Sequence, residues 1–260
     1  MPKQDGYKHG APSWVDLATT DIEAAKTFYT GLFCWEWTGA DMPGGSTYWM
    51  ALLGDELVAG LAQQPPQMAE HGVPSMWNTY VNVDSVDETI AKAESAGAKV
   101  IAAPMDVGAA GRMAFAMDTS GAAIGMWQAG QHTGAGVRGE TGAVVWNGVF
   151  TPDSHATASF YGAVFGWESG SMDMPGGGTY TLFKIGDDPV AGTMPPPVDG
   201  VPPQWHTWFG SADVPAMVAM AEELGATVLM APTDTPMGPV ATMQDPTGGA
   251  FSITDRSSAR

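Results

Sequence analysis

With 260 residues, 44% of them hydrophobic and including ten Trp and seventeen Met, the chain is long enough for two domains with real cores and too apolar for extended disorder. Its formal net charge of −18 excludes nucleic acid and anionic membrane surfaces as partners, since their phosphates need a basic footprint, and leaves neutral or cationic small molecules. The single cysteine, Cys34, excludes an intrachain disulfide, and without an apolar leader in MPKQDGYKHG or a run of about 18 apolar residues a cytoplasmic protein is expected.

The first predicted elements lie in SWVDLATTDIEAAKTFYTGLFCWEW, residues 13–37. Val15, Leu17 and Thr19 alternate as on a strand, Asp21 can cap a helix, and Ile22, Ala25, Phe28, Tyr29, Leu32 and Phe33 form its apolar stripe. The stretch returns 132 residues on (Trp14 to Trp146) as VWNGVFTPDSHATASFYGAVFGWES, so the chain is a duplication. Short strands then follow in DMPGGSTYWMALLGDELVAGLAQ from Asp41, and in its copy from Asp173. Pro43-Gly44-Gly45 and its copy Pro175-Gly176-Gly177 suit tight turns, not a phosphate loop, whose spacing and Lys-Ser/Thr they lack.

The connectors 63–75 and 193–204 are too proline-dense for helix or central strand and mark module boundaries. Beyond the first, Thr79, Val81 and Val83 share a strand face, Ser85 caps a helix and Gly97 ends it; beyond the second, Asp213 and Gly225 do the same. GRMAFAMDTSGAAIGMWQ and GPVATMQDPTGGAFSIT close the halves as further strands. The resulting α+β reading has modules at about 8–66 and 67–130 in a first domain, 1–130. A Gly-rich linker, 131–142, leads to a second domain, 143–260, with modules at about 143–197 and 198–260.

The repeated opening, VDSVDETIAKAESAGAKV and GRMAFAMDTSGAAIGMWQ together resemble the vicinal oxygen chelate superfamily: glyoxalase I, extradiol dioxygenases, and bleomycin- and fosfomycin-resistance proteins. The likeness is greatest to two-domain glyoxalase/bleomycin-resistance-like proteins of high-GC bacteria, some described as hydroxylases. It implies four βαβββ modules whose sheets curl into cups, and it is specific for fold far more than for chemistry. In such enzymes metal ligands stand seven residues before each helix-capping residue and at a Glu near the last strand. Here the first positions are Trp14, Asn78, Trp146 and His206, and the Glu positions are Gly125 and Ser252. One histidine without carboxylate partners rarely holds a divalent ion, so no cofactor is expected and a metal is disfavoured.

Strand parity instead points Trp14 and Asp16, then Asn78, Tyr80 and Asn82, then Trp146 and Phe150, then His206 and Trp208 into the cups. Such walls suit a small aromatic organic molecule stacked on indole and oriented by a few hydrogen bonds, with ordinary core packing as the alternative for the tryptophans. Arg112 is a candidate for a ligand carboxylate, with a surface ion pair as the alternative. His206 and Asp16 are candidate catalytic groups of a lyase, isomerase or oxygenase/hydroxylase, which requires the first and fourth modules to share a cup, with a structural histidine satisfied by a neighbour as the alternative for His206. A sequestering resistance protein for a cationic drug is a third reading. His9, His71, His132 and His155 are expected in solvent, Cys34 as a packed thiol, and a monomer with an internal pseudo-twofold as the assembly.

Overall fold

A computed structural model describes residues 4–42, 45–174, 178–196 and 200–255. The first half runs β1 (Pro12–Thr19), α1 (Ile22–Phe33), β2 (Glu36–Asp41), β3 (Thr47–Leu53), β4 (Glu56–Gln63), α2 (Pro66–Glu70), β5 (Met76–Asn82), α3 (Val86–Ser95), β6 (Lys99–Val107), β7 (Gly111–Met117) and β8 (Ala123–Ala129). The second runs β9 (Val144–Phe150), α4 (Ser154–Phe165), β10 (Glu168–Asp173), β11 (Thr179–Ile185), β12 (Asp188–Met194), β13 (Gln204–Gly210), α5 (Val214–Glu223), β14 (Thr227–Thr235), β15 (Gly238–Gln244) and β16 (Ala250–Thr254).

The expected capping residues do their work. Asp21, Ser85, Asp153 and Asp213 each accept a hydrogen bond from the backbone N–H three residues on, satisfying a donor that the helix start leaves unpaired. Two expectations fail locally. The first connector contains α2, because prolines at the start of a helix cost no hydrogen bond there. Cys34 is exposed, not packed: it ends α1 in the left-handed conformation (φ 57°) that Gly166 adopts after α4 (φ 72°), which turns its side chain out. Residues 43, 44 and 175–177 of the expected turns, and 197–199 of the second connector, lie outside the described residues.

Each half forms one eight-stranded mixed sheet, ordered β2-β3-β4-β1-β5-β8-β7-β6 and β10-β11-β12-β9-β13-β16-β15-β14. Antiparallel pairing of β1 with β5, and of β9 with β13, joins adjacent modules at the centre. Modules one and two therefore share one cup, and three and four the other.

The helices cover the opposite faces, and there the halves cross. Helix α1 packs on α5, and α3 on α4. Phe28, Tyr29, Phe33 and Trp35 of the first module share a core with Phe209, Val218 and Phe251 of the fourth, while the second module shares one with Phe160, Tyr161, Phe165 and Trp167 of the third. Each of these side chains contributes about 1.5–3 kcal/mol by burial, so much of each core exists only when both halves are present.

Buried polar locks reinforce the crossing. Asp245 Oδ1 accepts the backbone N–H groups of Thr247 and Gly249, and its Oδ2 accepts Tyr29 Oη–H at 2.7 Å. The copy repeats this: Asp118 Oδ1 accepts the N–H groups of Ser120, Gly121 and Ala122, and Oδ2 accepts Tyr161 Oη–H at 2.8 Å. Trp77 and Trp205 donate to the two tyrosines at 3.0 and 2.7 Å. The repeated Phe-Tyr of the helices and the Asp of each closing turn are thus two ends of one contact.

Candidate functional site

The first cup is built on β1 and β5. Their register sets Asp16 opposite Asn78 and Trp14 opposite Tyr80, and all four project from the face away from the helices because Val15 and Leu17 fill the core. Asp16 lies on the floor, 4% exposed. Its Oδ1 accepts Asn78 Nδ2–H at 2.8 Å, and its Oδ2 accepts Tyr80 Oη–H at 2.7 Å and Tyr48 Oη–H at 3.1 Å. Tyr48 Oη in turn accepts Trp14 Nε1–H at 2.8 Å. Burial raises the Asp16 pKa, against the lowering effect of its donors Asn78, Tyr80 and Tyr48. Burial, with the Asp16 charge, pushes both tyrosines well above their ordinary range, so they remain donors. Met50, Leu57, Met113, Phe115 and Trp127 supply apolar walls.

Tyr48 reaches this position through a notch in the sheet. A Cβ at Gly60, opposite Asp16 on β4, would overlap Tyr48 Oη, and a Cβ at Gly192 would overlap Tyr180 Oη in the second half. There Trp146 Nε1 donates to Tyr180 Oη at 2.8 Å. The pattern Trp14/Tyr48/Gly60 recurs as Trp146/Tyr180/Gly192 at the same spacing of 132, and this signal could have identified both tyrosines from sequence.

The floors differ. Where Asp16 stands in the first cup the second has Gly148, with the Trp208 ring 3.2 Å from where a Cβ would lie. His206, 2% exposed, shares a 2.8 Å hydrogen bond through Nε2 with Ser252 Oγ, which shares another of 2.8 Å with Thr242 Oγ1. Phe150 and Trp208 flank the imidazole at 5.0 and 4.6 Å between ring centroids. Burial lowers the His206 pKa to about 3, so it is neutral at pH 7.

The structure therefore brings Trp14, Asp16, Asn78 and Tyr80 together, and Trp146, Phe150, His206 and Trp208 together in the other sheet. Asp16 and His206 do not share a cup, because adjacent modules pair; the arrangement that would let them act on one substrate is absent. Asn82 is engaged at the rim, donating from Nδ2 to the Tyr7 carbonyl at 2.7 Å. Arg112 faces the helix side, since Ala114 and Ala116 on its strand parity fill the core, and its guanidinium is held by Asp87 and Asp106. His132, expected in solvent, sits edge-on against Trp14 with ring centroids 4.4 Å apart. Gly125, one of the two expected glutamate positions, lies under the Tyr80 ring. Among the described residues no group of three or more His, Cys, Asp or Glu could hold a metal ion, and no helix is long and apolar enough to cross a membrane.

Comparison with known proteins agrees with this architecture. Residues 11–126 match the model of the Glyoxalase/Bleomycin resistance protein/Dioxygenase superfamily, and residues 143–254 match that of a glyoxalase-like domain. CFP32 of Mycobacterium tuberculosis, provisionally named a glyoxylase, is 44% identical over 255 residues, 97% of each chain. The anthracycline biosynthesis protein DnrV of Streptomyces peucetius is 38% identical over 260 residues, covering 96% of this chain and 94% of that one. Among solved structures, the Mn(II)-bound glyoxalase of Novosphingobium aromaticivorans superimposes with a TM-score of 0.65 at 15% identity, covering 96% of this chain and 83% of its own. The 2,2',3-trihydroxybiphenyl 1,2-dioxygenase of Sphingomonas wittichii RW1 gives 0.63 at 16%, covering 95% and 91%. At such identities these two share the fold alone.

Proposed function

Because this chain belongs to the Glyoxalase/Bleomycin resistance protein/Dioxygenase superfamily, we propose that it uses the superfamily's cup without the metal, to bind a small hydroxylated aromatic molecule in its first half. The observation that carries this reading is the Asp16 cluster. Three donors converge on one buried carboxyl whose pKa is raised, and aromatic and methionine walls rise around it. A carboxyl so placed accepts a hydrogen bond from a hydroxyl strongly, while indole and phenyl faces stack on a flat ring.

Support for the absence of a metal lies in the donor set. Trp14 and Asn78, at two of the expected ligand positions, spend their N–H groups on Tyr48 and Asp16; His206 is hydrogen-bonded to Ser252, at the position of an expected glutamate. The names of the 37–38% identical relatives, anthracycline biosynthesis proteins, fit an aromatic ligand. The raised Asp16 pKa favours a second reading, in which the carboxyl exchanges a proton with a phenolic or enolisable substrate. Turnover separates that reading from simple binding or sequestration.

The test is a fluorescence titration with 1-naphthol. Asp16→Asn, with its fold checked by circular dichroism, weakens binding by about tenfold or more, the worth of a hydrogen bond to a charged group. Unchanged affinity overturns the assignment.

A further inference from the structure

The linker between the halves is stitched across the first cup. Gly130, Gln131 and His132 donate their N–H groups to the Ala110, Ala109 and Ala110 carbonyls, at the turn joining β6 to β7. Ala135 then donates to Ser13 on β1, and Gly136 to Leu57 on β4. Trp127 Nε1 donates to the His132 carbonyl at 2.9 Å. These bonds fix the imidazole between two indoles, 4.4 Å from Trp14 and 5.7 Å from Trp127 between ring centroids. Its Nε2 is buried and has no hydrogen-bond partner. A buried imidazole nitrogen in that state carries a desolvation penalty that a bound polar group would relieve.

Burial lowers the His132 pKa to about 4, so at neutral pH the ring is uncharged and offers one donor and one acceptor. Trp14 links the His132 imidazole to the Asp16 cluster: its ring meets His132 and its Nε1 goes to Tyr48.

We propose that His132 is a second ligand contact of the first cup, its Nε2 hydrogen-bonding an oxygen substituent remote from the one held at Asp16. The ligand class is then a fused-ring aromatic bearing oxygen on two separate rings. The inference rests on the reading of the first cup as a binding site, and it makes the linker part of that site.

Two probes separate the claims: 1-naphthol, with one hydroxyl, and 1,5-dihydroxynaphthalene, with a hydroxyl on each ring. Wild type prefers the diol by about fivefold, the worth of one neutral hydrogen bond. His132→Phe, which keeps the aromatic edge, loses that preference, whereas Asp16→Asn weakens both probes. If His132→Phe does not fold, the ¹⁵N resonance of His132 Nε2 in wild type decides, shifting with the diol and not with 1-naphthol. A diol preference surviving in His132→Phe, or a nitrogen resonance unmoved by the diol, overturns the role of His132 and assigns the nitrogen to the Trp14 ring face. Failure of Asp16→Asn to weaken either probe overturns the reading of the cup itself.

Discussion

At the scale of single residues, the first cup depends on atoms that are missing as much as on those present. Gly60 contributes only the space that Tyr48 Oη occupies beside Asp16. Gly60→Ala therefore displaces the phenol, breaks the Trp14–Tyr48–Asp16 chain and costs about 1–3 kcal/mol of stability by overpacking. Denaturant unfolding measures the stability, and a loss of 1-naphthol binding the displacement. The buried histidines have their own consequence. His206 is neutral in the fold, with a pKa near 3, while the unfolded chain takes up a proton near 6.5, so the unfolded state binds more protons between those values. Stability therefore falls as pH drops from 6.5 toward 3, by about 1.4 kcal/mol per unit where the difference is complete. His132, lowered to about 4 by the same cause, adds to the slope, whereas Asp16, raised by burial, opposes it. His206→Gln shows a shallower loss across pH 6 to 4 in urea unfolding; an unaltered slope contradicts the assignment.

At the scale of elements, the locks between helices and closing turns predict that Tyr29→Phe leaves an Asp245 oxygen buried without its donor. The expected cost is about 1.5–3 kcal/mol, with Tyr161→Phe matching it through Asp118. Equal shifts in unfolding midpoint for both variants check the pseudo-symmetry. These elements were legible in the sequence because they obey local rules: Asp21, Ser85, Asp153 and Asp213 are capping residues at the starts of apolar stripes, and strand alternation placed Trp14, Asp16, Asn78 and Tyr80 on one face. Tyr48 and His132 were not legible by those rules. Tyr48 enters through a glycine notch on another strand, and His132 belongs to a Gly-rich segment whose path follows from its bonds to Ala110, Ser13 and Leu57. Arg112, which sequence left open between a ligand carboxylate and a surface ion pair, makes the ion pair, because the core alanines two and four residues on put it on the helix face.

At the scale of the molecule, duplication produced two cups from adjacent modules and two cores from crossed ones. Sequence could not choose between adjacent and crosswise pairing, since both satisfy the same strand and helix patterns; the central antiparallel pairs decide it. Residues 1–130 expressed alone leave the α1 and α3 faces without α5 and α4. That fragment is expected to lack cooperative unfolding, whereas the full chain unfolds in one transition. The two floors, Asp16 in one half and Gly148 with His206 in the other, give the halves unlike chemistry on a shared scaffold. In the proposed function the first cup binds an aromatic hydroxyl through Asp16 without a metal. Chelator-treated wild type should bind 1-naphthol with the same affinity before and after addition of Mn(II), with no stoichiometric metal retained by elemental analysis. Binding that appears only with Mn(II), with one ion retained per chain, would contradict it.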